Sequence, residues 1–421
     1  MTDTGPPTPP GQGVRPGFLD RLHEAYNLRR KNIVLLTGDV QGLFWSGTRQ
    51  EFVGLEPLLV AELTEKFNVT RFDLASGVSF YDAGTETQVV GVAEADDGSY
   101  QPDGKLNNVR ECIDMSRNSP LACMTLLKAI AARFAAARRL GKTVKPLCVI
   151  TQYAGAMFPS GEFDRLSELD RQRLVFFLSW VADPKFADGP DLLILVNPVR
   201  AEVNGKLTSL PNVGHVEIGL PSETERGWFV AAFCATHPGV QFEQSKGRFA
   251  TDTAGLTIAN LKDLLEMAAR TNDPVERADV VNEINLILQA RLGDIIRVKY
   301  PEHGPADIIG YAENGKIFKA IFERCEDRET AVSAILISGP NGSGKTFQLE
   351  AHAAQSGRVV IELAGIRGSY FGETDKFFEL LRWHLDTFGK ILILVDEAHT
   401  AFGSVHSPDS HETEKRLAGN I

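Results

Sequence analysis

One octapeptide constrains this chain more than any other feature: Gly339-Pro340-Asn341-Gly342-Ser343-Gly344-Lys345-Thr346. It meets the phosphate-binding pattern G-x-x-x-x-G-K-[ST] at every fixed position. The β-forming run Ala334-Ile335-Leu336-Ile337 leads in, and the helix-compatible run Phe347-Gln348-Leu349-Glu350-Ala351 leads out. The context predicts a strand, a tight loop and a helix, which places bound phosphate at a helix N-terminus. Gly339, Gly342 and Gly344 permit backbone conformations and a close approach that a Cβ would block. The backbone N–H groups of such a loop form a concave anion nest. Lys345 brings a point positive charge to the β- and γ-phosphates, and Thr346 offers a hydroxyl to Mg²⁺. Pro340, Asn341, Ser343 and Phe347 complete the candidate binding set.

A second motif follows downstream. Ile391-Leu392-Ile393-Leu394-Val395 is a continuous apolar run that ends in Asp396-Glu397. Such a run suits a parallel strand covered on both faces. Ligands of parallel sheets bind at the carboxyl ends of the strands, where these two carboxylates fall. Asp396 is the candidate metal ligand and Glu397 the candidate base that polarises an attacking water. Paired with the glycine-rich loop, they point to a nucleoside triphosphatase rather than a mere phosphate binder.

The rest of the chain sets this module in context. Its length of 421 residues suggests two or three domains. A net charge of −11, with no Lys/Arg-dense face, argues against a broad nucleic-acid footprint. The five cysteines are scattered without a C-x-x-C pair, as in a cytosolic protein with reduced thiols. No apolar stretch is expected to reach membrane-spanning length. Residues 1–17 are rich in Pro and Gly and are expected to be a disordered leader.

From Phe18 onward, strand-like runs at Asn32–Thr37, Asn68–Leu74, Leu147–Thr151, Asp191–Asn197 and Val216–Leu220 alternate with helical text. Ser119 and Pro120 open a helix predicted to reach Arg139. The fold class expected is α/β, with parallel sheets. Residues 18–221 are read as an α/β domain and 222–292 as helical. Leu256, Leu261, Leu264 and Leu265 fall on one helix face after Thr257. Residues 293–306, with Gly293, Pro301, Gly304 and Pro305, read as a linker, and 307–421 as the phosphate-binding module.

An internal repeat connects the halves. Ile33-Val34-Leu35-Leu36-Thr37-Gly38 parallels Ala334-Ile335-Leu336-Ile337-Ser338-Gly339, and Cys148–Phe158 parallels Leu392–Phe402. The first copy has more residues between its two sites, with a polar insertion expected near 82–110. Its chemistry is gone. Asp39-Val40-Gln41-Gly42 replaces the Gly-Lys-Thr loop, and Gln152-Tyr153 replaces the two carboxylates. Two unrelated α/β segments aligned on short apolar runs are the alternative.

These residues resemble the AAA family of ATPases, in the branch of ring-shaped unfoldases and remodelling motors. Asp307-Ile308-Ile309-Gly310 resembles the family segment whose backbone faces adenine, with Ile309 in place of its first glycine. Ser369-Tyr370-Phe371-Gly372-Glu373 resembles the pore loop, in which Tyr370 would grip a translocating chain. Packing of Tyr370 and Phe371 against a neighbouring helix is the alternative. Glu412–Leu417 resembles the charged helix start after a second pore loop. In the first copy, Asn197 stands at a sensor position, and Val216–Ser222 with Glu225-Arg226 and Gly255–Leu261 resemble the last strand and the helical lid. No Arg occupies the finger segment Leu210–His215, and His215 reads as a solvated residue.

The resemblance implies a tandem AAA protein with a degenerate first module. Its second module would bind ATP with Mg²⁺ and act on a protein substrate, in a homo-oligomeric ring in the cytoplasm. The family's remaining elements are not found before Ile421, so the chain is expected to be the N-terminal part of a longer protein or a truncated product. A nucleic-acid motor on the same core and a non-hydrolysing, nucleotide-ordered scaffold are the rivals. The acidic balance weighs against the first, and the Asp396-Glu397 pair against the second.

Overall fold

The computed structural model describes residues 14–28, 31–95, 108–243, 245–292, 296–299, 303–325, 332, 334–340, 342–356, 358–363 and 391–395. They form two compact units, one built on Pro9–Leu220 with Thr257–Ala259, the other on Pro221–Leu256 and Asn260–Ile421.

The first unit is organised around a six-stranded sheet. Its strands are β1 (Ile33–Gly38), β4 (Asn68–Asp73), β5 (Gly77–Phe80), β6 (Leu147–Thr151), β7 (Leu192–Val196) and β8 (Val213–Ile218). A separate hairpin, β2 (Leu43–Ser46) and β3 (Glu51–Gly54), follows β1. The sheet order is β5-β4-β6-β7-β1-β8. Every pairing is parallel except that of the edge strand β5 with β4. Alternate residues feed two cores, as the pleat requires. Ile33, Leu35, Val149, Leu193 and Leu195 enter one, and Val34, Leu36, Cys148, Ile150, Ile194 and Val196 the other. The continuous apolar runs of the sequence thus mark strands buried on both faces.

The helices of this unit, in chain order, are α1 (Gly17–Asn27), α2 (Leu55–Leu63), α3 (Ala83–Glu94), α4 (Val109–Ser116), α5 (Pro120–Arg139), α6 (Ala154–Met157), α7 (Glu168–Val181), α8 (Pro184–Ala187) and α9 (Gly205–Thr208). The stretch read as an insertion therefore carries α3 and the start of α4. α5 starts as its sequence dictates: Pro120 takes the first position, and the Ser119 hydroxyl accepts the Ala122 N–H at 3.3 Å. By length and composition α5 could cross a membrane, contrary to the sequence reading. Here Cys123, Met124, Leu127, Ile130 and Phe134 on that helix are buried in the first core. Its C-terminal Arg138 donates to both Asp191 oxygens, at 3.0 and 2.9 Å. Asp191 also accepts the Leu147 N–H at 2.9 Å, so one carboxylate ties α5 to the starts of β6 and β7.

The second unit begins with four helices, α10 (Glu223–Thr236), α11 (Lys246–Asp252), α12 (Ile258–Thr271, shared with the first unit at its start) and α13 (Arg277–Leu292). Ser222 and Glu225 form a reciprocal capping box for α10. Leu256, Leu261, Leu264 and Leu265 are all buried, as their spacing predicts. Within the segment read as a linker, Ile296–Lys299 forms a strand, β9. After α14 (Ala312–Arg324) and α15 (Lys345–Gln355) come β10 (Val359–Leu363) and β11 (Ile391–Val395). The sheet order is β11-β10-β9, parallel between β10 and β11 and antiparallel between β9 and β10. Phe318, Phe322, Leu349, Ala353, Val360 and Leu394 make the core of this part.

One expected strand is absent. Ala334–Ile337 has no regular secondary structure, and the Leu336 side chain is 89% exposed. The topology of the first sheet supplies the reason. There the equivalent strand, β1, is hydrogen-bonded to β7 and β8, both of which follow β6 in the chain. In the second sheet β11 is the last described strand, and no described residue pairs with Ala334–Ile337.

Candidate functional site

The glycine-rich loop leads directly into α15, whose first residue is Lys345. Gly342 and Gly344 take φ values of 78° and 74°, in the region where a Cβ is strained. The Ser343 N–H donates to the Pro340 carbonyl at 3.3 Å and tightens the turn. Gln348 N–H donates to the Gly344 carbonyl at 2.9 Å and starts the helical ladder. Lys345 folds back over the loop, its ammonium donating to the carbonyls of Gly339 and Pro340 at 3.0 and 2.9 Å. Thr346 is half-buried in the first turn. A cation held over the loop, in front of a helix N-terminus, is a set that fits phosphate.

Beside this loop, the Phe347 ring stacks on the His303 ring with centroids 3.9 Å apart and planes 6° apart. His303 Nε2 also donates to the Phe347 carbonyl at 3.2 Å. A short 3₁₀ turn, Pro305–Asp307, lies against α15. Within it, the Asp307 carboxylate accepts the Gly304 N–H at 2.8 Å, and two residues later Ile309 is almost fully exposed. On β9, Lys299 reaches Glu350 of α15 and Glu362 of β10, each at 3.2 Å. Burial lowers the Lys299 pKa, but the hydrogen bonds and charges of Glu350 and Glu362 outweigh it and raise the value above that of a free lysine. One turn deeper in α15, His352 stacks on Phe318, and burial pushes its pKa down.

Asn341, Tyr370, Phe371, Gly372, Asp396 and Glu397 lie outside the described residues. Sequence reasoning overlooked Lys299, His303 and Glu350. The alternation Ile296-Arg297-Val298-Lys299 was the available signal for β9, masked by the neighbouring Pro301, Gly304 and Pro305.

The matching place in the first unit is built differently. After β1 no helix begins; the chain turns into the β2–β3 hairpin, where Trp45 packs edge-on against Phe52 at 5.4 Å. The Asp39 side chain is buried and folds over Gly42, leaving no room there for a Cβ. Gln152 donates to Glu56 at 3.0 Å, and Tyr153 is exposed, with a left-handed backbone at φ 57°. Asn197 is buried and fully engaged: its oxygen accepts the Gly155 N–H at 2.9 Å, and its nitrogen donates to Val199 and Glu202. His215 is exposed, in contact with Thr37 at 2.7 Å. Arg226, at the start of the helical segment, is buried. It donates to the carbonyls of Ala250 and Pro221, and burial pushes its pKa down to about 10.

Two family models match the chain. Residues 8–219 match the model of the AAA+ chaperone N-terminal Rossmann-like domain. Residues 335–421 match that of the ATPase family associated with various cellular activities, AAA. No curated protein matches the chain. The chain belongs to the AAA+ chaperone family, as an ATP-binding AAA-family ATPase with tandem modules.

Proposed function

We propose that the second module hydrolyses Mg·ATP, and that the protein uses this to remodel or translocate a protein partner. The observation that carries the reading is the loop itself: two left-handed glycines, a helix N-terminus, and the Lys345 ammonium held over the Gly339 and Pro340 carbonyls. Lys345 and the backbone N–H groups of the loop would hold the phosphates, and Thr346 with Asp396 would hold Mg²⁺. When bound, Mg²⁺ neutralises charge on the β- and γ-oxygens. Glu397 orients the attacking water and accepts its proton. Phe347, Asp307 and Ile309 are the candidate neighbours of the base. Tyr370, Phe371 and Gly372 are the candidate grip on a protein chain at the pore of a homo-oligomeric ring.

In this reading the first module binds no nucleotide. A hairpin stands where the phosphate-binding helix would start, Asp39 fills the turn with negative charge, and Gln152 is spent on Glu56. Its intact sheet serves instead to hold subunits in register or to dock a partner.

Glu397→Gln tests the chemistry. It keeps size and hydrogen bonding but removes the charge, so ATP binding should persist while turnover falls by roughly 10²–10⁴-fold. Steady-state hydrolysis and calorimetric ATP affinity measure the two parts. A variant that turns over at the wild-type rate refutes the assignment.

A further inference from the structure

The segment that joins the helices α10–α13 to the phosphate-binding loop does more than connect them. β9 is held on one side by α13: Asn285 donates to the Val298 carbonyl at 3.2 Å and accepts the Val298 N–H at 2.8 Å. This reciprocal pair satisfies both polar groups of one strand residue, as a neighbouring strand would. On its other side β9 pairs with β10, while Ile296 and Val298 are buried. From β9, Lys299 reaches across to Glu350, and His303 takes Phe347 by both its ring and its carbonyl.

Helix geometry makes these contacts converge. Thr346, Phe347 and Glu350 lie at i,i+3 and i,i+4 spacing and so share one face of α15. Glu350 is about 7.5 Å along the axis from Lys345, at 1.5 Å per residue. One face of the first two turns is therefore gripped twice, next to the residues that would meet phosphate. Nucleotide sites depend on placement of such groups to a fraction of an ångström.

We propose that Lys299 and His303 are positioning residues of the nucleotide site, fixing the start of α15 and tying it through β9 to α13. The inference rests on the second module being the nucleotide site. It makes ATP affinity responsive to α13, through β9.

The test compares Mg·ATP affinity by calorimetry in the wild type, Lys345→Ala, Lys299→Met, Lys299→Arg, His303→Ala and Asn285→Ala. Thermal melts without nucleotide confirm that each is folded at the working temperature. Lys299→Met and His303→Ala should each weaken ATP binding about threefold to tenfold, the scale of a partly exposed ion pair or stack. Lys299→Arg should restore wild-type affinity, and Asn285→Ala should weaken binding in the same direction. A packing role alone would lower the melting temperature and leave affinity unmoved. Wild-type binding that Lys345→Ala reduces but Lys299→Met and His303→Ala leave unchanged overturns the positioning role by itself. Absence of ATP binding in the wild type removes the nucleotide-site reading, and this inference with it. His303→Ala keeps the question decidable if Lys299→Met fails to fold.

Discussion

Leu35 and Leu336 occupy the same place in the two modules, in the middle of the apolar run that leads to Gly38 and Gly339. Leu35 is fully buried between β7 and β8, whereas Leu336 is 89% exposed. The two residues are identical, and both sit in an apolar run that ends in glycine. What differs is the set of strands beside them. A strand at the centre of a parallel sheet owes its existence to neighbours that arrive much later in the chain. The chemistry runs the other way. The module with the complete sheet has lost its loop, and the module with the intact loop lacks a strand at that loop among the described residues. Scaffold and site are separable properties of one fold, because packing is spread over many side chains and phosphate binding is concentrated in a few.

The comparison can be broken most easily where the expected effect is largest. Leu35→Ala should destabilise the first unit by about 2–5 kcal/mol, because it empties a core position between paired strands. Leu336→Ala should change stability by no more than about 0.5 kcal/mol, as at an ordinary surface site. Urea unfolding of both variants measures the pair. A Leu336→Ala cost matching that of Leu35→Ala would mean that the second sheet continues through Ala334–Ile337.

Much of this architecture was legible in advance. Residues such as Leu192–Val196 can hardly be anything but a doubly covered strand, and Ser119-Pro120 announces a helix start by local chemistry alone. The β2–β3 hairpin was not legible, because strands of four residues each carry too little alternation. β9 escaped because four residues beside prolines and glycines carry too little periodicity. Ala334–Ile337 is the converse case: composition favours a strand, but strand pairing is non-local. At the site, the loop residues were readable because phosphate binding demands particular residues at fixed spacing. Lys299 and His303 were not, since a positioning role is defined by what a side chain touches.

A smaller effect sharpens the comparison in α15. His352 is buried against Phe318, and burial favours its neutral form, so its folded pKa lies below the ordinary 6.5. The stability it contributes is therefore present above pH 6.5 and lost as pH falls through the lowered folded value. His23 in the first unit is depressed as well, also mainly by burial, so a pH slope alone does not distinguish the units. The His352 ring resonance, followed by NMR, should titrate with a midpoint below 6.5. A midpoint at or above that value contradicts the burial of this ring.

The central claim is that one module of the two binds nucleotide, and the stoichiometry of Mg·ATP binding tests it most directly. Calorimetry on the wild-type protein should give one ATP per chain. Lys345→Ala should weaken that event by about 1.5–3 kcal/mol, the worth of a hydrogen bond to a charged group. Two ATP per chain, or a single site whose affinity is indifferent to Lys345→Ala, would contradict the account.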